Sequence, residues 1–445
     1  MKGYAKYVEV ESRWAKYIPE SWTFSNIAEV FIERKENNNP IKTMDILSLT
    51  NTRGVIPYKK KGNIGNKAKE DLTGYRLAYP GDIVFNSMNA VIGSVGLSKY
   101  FGAVSPVYYM LYLRDTAKNN IRFFDYVFQD RVFQSGLNGL GNGILEIRMR
   151  IPMSKLKYVG VPVPPRTEQD QIVRYLDWQV SKINRLIAAK RKQIALMRDN
   201  LKSAVAYYTT HGLGNHELCQ SETYWLTHYP NDWRVTKLRY IMEKHRREVT
   251  PNAELLICSN SGEVVKRGDG KLGLVASSDD IYQGVTAGDL LIHGMDTWHG
   301  AIAISSFDGM CTPVVHVCTC KEEKRYVAYY LKMMAYTKVF KAISNGVRQN
   351  TSDFRSWDKV GDLLICLPTH DEQVAIADKL DYLTVQTKAG ISFFEKQIEH
   401  LQELRTRLIS DVVTGQVDVR GIEVPKHESV DDVVAESEVE ELEVE

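Results

Sequence analysis

The sequence predicts an α+β protein built twice: two globular domains in tandem duplication, separated by two long helices that form an antiparallel coiled coil. Three observations carry this prediction. Landmarks of the first half recur in order in the second, each half opens with short apolar runs punctuated by glycine and proline, and each closes on a long apolar stripe at helical spacing.

The repeat is read from residue types and their order. Trp14, Pro19 and Trp22 return as Trp225, Pro230 and Trp233. Gly81-Asp82, Met88, Gly93, Gly102 and Ser105-Pro106-Val107 return as Gly288-Asp289, Met295, Gly300, Gly309 and Thr312-Pro313-Val314. Glu168-Gln169, Leu176-Asp177 and Gln193-Ile194 return as Glu372-Gln373, Leu380-Asp381 and Gln397-Ile398. The offset falls slowly along the chain, as short loop deletions require. Within each half, runs such as Asp82-Ile83-Val84-Phe85 and Leu290-Leu291-Ile292, bounded by turn-forming residues, predict a β-rich globular domain with a few helices.

The first long helix follows Pro164-Pro165, with Thr167 as the expected cap and Asp170 three positions on. Its stripe runs through Ile172, Leu176, Val180, Ile183, Ile187, Ile194, Met197, Leu201 and Val205. The second helix follows Pro368, with Thr369 or Asp371 as cap, and its stripe includes Ile376, Leu380, Leu383, Ile391, Phe394, Ile398, Leu401, Leu408 and Val412. Gaps of three, four and seven define a narrow seam, which would face water unless covered. Each rod follows its own domain, so an antiparallel pairing of the two covers both seams; packing of each helix on its own domain is the alternative. Gly212 and Gly415 stand where the helices should stop. The expected organisation is a domain over 1–163, a helix over 164–212, a domain over 213–367, a helix over 368–415 and a C-terminal segment over 416–445.

Composition narrows the function. The chain has 445 residues, 44% hydrophobic and 25% charged, as an ordinary globular protein has. No apolar run reaches the ~18 residues of a membrane span, and the N-terminus lacks the apolar core of an export signal, so a cytoplasmic protein without a membrane partner is expected. Six cysteines show no C-x-x-C pair; Cys318 and Cys320 share a strand face with His316, a pattern read as buried free thiols in preference to a metal site. The net charge of +2 hides an asymmetry. From His427 onward there are nine carboxylates (Glu428, Asp431, Asp432, Glu436, Glu438, Glu440, Glu441, Glu443 and Glu445) and no Lys or Arg, so removing these nine leaves the body at +11. A basic body suits a polyanionic partner, and the acidic tail is expected to be solvated and disordered.

A search for catalytic signatures finds none. There is no G-x-x-x-x-G-K-[ST] phosphate loop, G-x-S-x-G elbow, H-E-x-x-H pair or Asn/Asp-Pro-Pro-aromatic tetrad. Spacing alone leaves open a nuclease built on paired carboxylates and a lysine. What the sequence does offer is a binding surface. Arg53 and Lys59-Lys60-Lys61 on a glycine-containing loop have counterparts in Lys266, Arg267 and Lys271. Such side chains suit phosphate contacts. Asn142, Arg148 and Arg150 in the first half, and Arg348, Gln349 and Asn350 in the second, carry the guanidinium and amide groups that pair with guanine and adenine edges. Asn86, Asn89 and His293 offer similar chemistry, whereas Met88, Met295 and the tryptophans are expected to pack in the core.

The run Val161-Pro162-Val163-Pro164-Pro165-Arg166-Thr167-Glu168-Gln169, its second copy Ile365-Cys366-Leu367-Pro368-Thr369-His370-Asp371-Glu372-Gln373, and the opening Trp14-x-x-x-Ile18-Pro19-x-x-Trp22 resemble the specificity subunit of type I restriction-modification enzymes. The second copy departs by lacking the second proline and by having Tyr229 before Pro230. The resemblance implies two target-recognition domains, each reading one half of a bipartite double-stranded DNA target. It also implies helices that set the spacer and dock two modification (methyltransferase) subunits. Adenine methylation and ATP-dependent cleavage would then belong to modification and restriction subunits, which would hold S-adenosylmethionine, ATP and magnesium, leaving this chain non-catalytic and without a cofactor or metal. The other readings are a stand-alone nuclease or methyltransferase, and a coiled-coil adaptor that binds no DNA.

Overall fold

The computed structural model describes residues 2–51, 53–61, 67–141, 150–221, 226–268, 281–344 and 354–426. The chain divides into two compact units, one formed by Met1–Gln193 with Phe394–Glu445 and the other by Ile194–Phe393.

The first unit is built on a four-stranded antiparallel sheet ordered Phe31–Arg34, Tyr108–Leu113, Ile83–Asn86, Val95–Leu97. The second repeats it as Met242–His245, Val315–Cys320, Leu290–His293, Ile302–Ile304. A helix packs beside each sheet, Ile121–Gln129 in the first and Lys324–Tyr336 in the second. Phe123, Phe124, Val127 and Phe128 project from the former into a core that includes Phe31, Phe85 and Phe133, all buried. Each of these rings contributes ~2–3 kcal/mol by leaving water. The tryptophans pack as expected: Trp14 and Trp22 lie in this core, with the Trp14 ring edge-on to Phe133 at 5.2 Å, and Trp233 lies in the core of the second unit. Trp225 lies outside the described residues. Met88 and Met295 differ from expectation; both are half-buried in turns that follow a sheet strand, where the backbone bends toward the surface.

Two long helices span Arg166–His211 and His370–Val413. The first starts directly after Pro165, whose carbonyl accepts the N–H groups of Glu168 (2.9 Å) and Gln169 (3.0 Å). Thr167 therefore sits inside the first turn and is not the cap, because a proline with φ near −65° and no N–H is already suited to that boundary. Gly212 and Gly415 end the helices at φ of +77° and +73°, a conformation only glycine adopts without strain.

In the first unit the beginning of one helix and the end of the other run in opposite directions. Asn184 accepts a hydrogen bond from Arg405 (3.0 Å), and Gln171 donates to the carbonyls of Val419 (3.0 Å) and Ile422 (2.7 Å). Ile172, Leu176, Ile183 and Ile187 share one core with Leu408, Ile409, Val412 and Val413, with Ile398 and Leu401 partly buried beside it. In the second unit Ile376 and Leu380 join the core with Val205, and Leu201 packs at its margin. Ile194 is buried and Ile391 half-buried. The stripe thus does two jobs: toward the domain its residues enter the globular core, and elsewhere they face the companion helix.

The repeated motifs mark where each domain is fastened to its helix. Gln169 is fully buried; its amide donates to the carbonyl of Pro164 (2.8 Å) and its own carbonyl accepts the N–H of Asn120 (2.8 Å), just before the packing helix. Gln373 does the same with Pro368 (3.1 Å) and Glu323 (3.1 Å). Asp177 receives both guanidinium nitrogens of Arg122 (2.7 and 2.8 Å) and the hydroxyl of Tyr126 (2.8 Å); Asp381 receives Arg325 (2.8 Å) and Tyr329 (2.7 Å). The strand before each helix, Gly160–Val163 or Leu364–Leu367, pairs antiparallel with Thr23–Asn26 or Arg234–Lys237. Glu168 and Glu372 differ. Glu168 accepts from Tyr4 and from the indole of Trp22 (2.9 Å), whereas Glu372 pairs with His216 (2.9 Å) and leaves the buried indole nitrogen of Trp233 without a partner.

Candidate nucleic-acid interface

The hairpin Leu47–Thr50 and Gly54–Pro57 turns tightly at Gly54, φ +62°, which projects Arg53 from the turn. The short 3-10 turn Tyr58–Lys60 follows and exposes Lys59 and Lys60. The Arg53 guanidinium donates to the carbonyl of Lys60 (3.3 Å), and the Lys61 ammonium lies 5.2 Å from the centre of the Tyr58 ring. The predicted basic loop is thus one local cluster.

This cluster borders a cleft of about 600 Å³ within the first unit. Its domain side is formed by the hairpin, the strand Val95–Leu97 and the helix Ile121–Gln129; residues between Asp177 and Arg191 and between Gln402 and Ile409 form the helix side. Arg53, Lys60, Lys99, Arg122, Arg131, Arg191 and Arg405 line it, against the carboxylates Asp125 and Asp177. Cations therefore dominate, and the cleft attracts anions. Of these side chains the sequence argument found only Arg53 and Lys60. Arg191 carried a signal, the run Lys190-Arg191-Lys192, but Lys99, Arg131 and Arg405 are isolated in sequence and meet only on folding.

Asp125 is the unusual group here. It accepts the N–H of Leu97 (3.0 Å) and the amide of Gln129 (2.9 Å), yet burial pushes its carboxyl up from 3.8 to about 6. A folded-state value above the unfolded one means that the native chain holds this proton more tightly, so stability falls as pH rises from about 4 to 6. Asp125→Asn is expected to add about 1–2 kcal/mol above pH 6, after allowance for its partial exposure, and nothing at pH 4. Urea unfolding at the two pH values checks this, and equal shifts at both would disprove it.

The other predicted residues occupy varied positions. Arg150 is exposed and Asn89 half-buried beside the 3-10 turn Ala90–Ile92. Asn86 is a correction: it is buried, its carbonyl accepts the Met88 N–H (3.0 Å) and its amide donates to Ser94 (3.3 Å), so it shapes the turn and does not reach outward. In the second unit Lys266 is exposed, pairs with Glu254 and lies 5.2 Å from the Phe307 ring centre. Arg267 is half-buried beside it. His293 contacts Asp296 at 3.1 Å, and burial lowers its pKa against the pull of that carboxylate. Asn142, Arg148, Lys271, Arg348, Gln349 and Asn350 lie outside the described residues, as does the acidic tail.

The second unit treats the corresponding space differently. Its hairpin, Leu256–Cys258 with Val264–Lys266, spans as many residues as Leu47–Thr50 with Gly54–Pro57, since Leu256 faces Lys266 as Leu47 faces Pro57, but its connection carries Glu263 where the first hairpin has Gly54. That connection reaches the long helix: Glu263 pairs with Lys388, and the ammonium of Lys332, its pKa lowered by burial, donates to the carbonyl of Gly262 (3.1 Å). By the repeat, Lys388 corresponds to Asn184 and Lys332 to Gln129, both of which line the cleft of the first unit.

Among the described residues no group of three or more His, Cys, Asp or Glu is placed to hold a metal ion, and no helix is long and apolar enough to cross a membrane. All six cysteines are free; burial raises Cys320 to about 11 and Cys318 further.

Residues 19–196 match the family model described as the type I restriction modification DNA specificity domain. A Methanocaldococcus jannaschii protein assigned as the specificity subunit of type I restriction enzyme MjaX is 23% identical over 448 residues, covering 91% of this chain and 95% of the relative. A type I restriction-modification DNA specificity domain thus occupies residues 19–196 of this chain. A solved chain from a structural study of complex assembly and conformational transition of the type I R-M system has the same fold as this chain. It aligns at a TM-score of 0.63 with 12% identity, over 90% of this chain and 99% of the other. The family-model match takes in the first sheet, its packing helix and the Glu168-Gln169 fastening.

Proposed function

We propose that this specificity subunit reads a double-stranded DNA target in two parts, one through each globular domain, with the long helices setting the gap and docking two modification subunits. Adenine methylation with S-adenosylmethionine, and cleavage driven by ATP with magnesium, are then the work of modification and restriction subunits; the specificity subunit is the recognition component and supplies no catalyst. One observation carries the reading. The fastenings Gln169 and Gln373, and Asp177 and Asp381, are the same in the two units, while the hairpin regions bearing Arg53 and Lys60 or Lys266 and Arg267 differ in charge and partners. A common mount with divergent loops is what two readers of different half-sites require.

Mapping adenine methylation across the native genome, with and without this gene, tests the proposal. Loss of methylation at a two-part motif with a fixed gap is expected. Removing a matched seven residues from each long helix, ~10 Å of rise, should shorten the gap by about three base pairs and keep both half-sequences. Altered half-sequences with an unchanged gap would refute the ruler.

A further inference from the structure

We propose that the basic cleft of the first unit is a docking site for an acidic peptide segment, and that its occupant is residues 427–445 of the same chain, which compete there with duplex DNA. The competition rests on the DNA-reading proposal; the docking does not.

The second unit supplies the internal precedent. There an acidic residue of the domain's own hairpin, Glu263, is seated against the helix at Lys388, beside Lys332, whose ammonium holds the neighbouring Gly262 carbonyl. At the corresponding place in the first unit the hairpin has Gly54 in place of the glutamate, the two lysines are replaced by Asn184 and Gln129, and an open cleft lies there. The positive charge is supplied by Arg53, Lys60, Lys99, Arg131, Arg191 and Arg405. Where one unit sets a carboxylate of its hairpin against the helix, the other thus has a glycine and a cleft lined by arginine and lysine.

Charge and reach identify the occupant. Residues 427–445 hold nine carboxylates and no Lys or Arg, against a body of opposite sign. The chain approaches this segment along the first long helix, where the Ile422 carbonyl accepts a hydrogen bond from Gln171 (2.7 Å) and Val424 packs against the core. The helix side of the cleft, Asp177 to Arg191, lies six to twenty residues further along that helix, ~9–30 Å away. Nineteen residues beyond Lys426 extend to ~60 Å. An acidic segment held at this distance has a high local concentration at the cleft and raises the salt-dependent cost of seating DNA phosphates there.

The test uses the full chain. Carbodiimide coupling joins a lysine amine to a carboxylate without a spacer, so docking predicts coupling of Lys60 or Lys99 to carboxylates of residues 428–445, read by peptide mass spectrometry in the absence of DNA. Arg131→Gln with Arg191→Gln should reduce that coupling at least severalfold, while added non-specific duplex should displace it. Coupling of the tail to lysines away from the cleft, with Lys60 and Lys99 untouched, would overturn the docking. In a second full-length variant the nine carboxylates are replaced by their amides; affinity for non-specific duplex at ~50 mM salt is expected to rise about tenfold. Unchanged affinity would overturn the competition. Because the coupling is read without DNA, failure of the docking is distinct from failure of DNA recognition.

Discussion

Replacing Gln169 by leucine is expected to destabilise the first unit by about 3–5 kcal/mol. The fully buried side chain satisfies the Pro164 carbonyl at 2.8 Å and the Asn120 N–H at 2.8 Å, and it also reaches the Lys118 carbonyl at 3.3 Å. Leucine fits the volume and meets none of these groups, and each buried backbone group left without a partner costs ~1–3 kcal/mol. Hydrogen exchange separates the units. Amides of Ile121–Gln129 should lose protection in Gln169→Leu while those of Lys324–Tyr336 keep it, and Gln373→Leu should reverse the pattern. Equal loss in both units, or in neither, would show that the fastening is not local.

The second large effect is on DNA. Arg53→Ala together with Lys60→Ala removes two neighbouring cations and one hydrogen bond, from the Arg53 guanidinium to the Lys60 carbonyl, while the strand pairing of the hairpin stays in place. If both contact phosphate, the slope of log affinity against log salt becomes shallower by about 1.8, and non-specific affinity at ~50 mM salt drops by roughly 10–100-fold. Sequence choice at the half-sites should survive, because phosphate contacts position a protein without reading bases. An unchanged slope would place the phosphate contacts elsewhere on the domain.

Why some of this was legible before the structure and some was not follows from what each residue does. Trp22, Glu168-Gln169 and Leu176-Asp177 stood out as repeats because each meets partners at the same junction in both units, and that junction tolerates few alternatives. The apolar stripe was visible because a helix repeats its faces every 3.6 residues. Its dual use was not visible, since Ile172 deep in one domain core and Leu201 packed at the margin of the other leave the same mark in a sequence. The cleft as a whole was not visible: beyond Arg53 and Lys60, its cations Lys99, Arg131 and Arg405 stand alone in sequence and come from elements far apart in the chain. Asn86 misled because an amide that shapes a turn and one that reads a base edge have identical composition; only burial separates them.

The make-up of the first unit has a consequence for synthesis. Its core contains Leu408, Ile409, Val412, Val413 and Val419, the Asp418 N–H donates to the Lys2 carbonyl (3.0 Å), and the Tyr7 hydroxyl donates to the Gly415 carbonyl (2.9 Å). The second unit ends at Phe393. A ribosome moving from the N-terminus therefore releases everything the later unit needs before it has made the last pieces of the earlier one. At ~5–20 residues per second the nascent first domain waits roughly 10–50 s with its helix-facing apolar surface uncovered. A premature stop after Phe393 would cost the chain its first reader and spare its second.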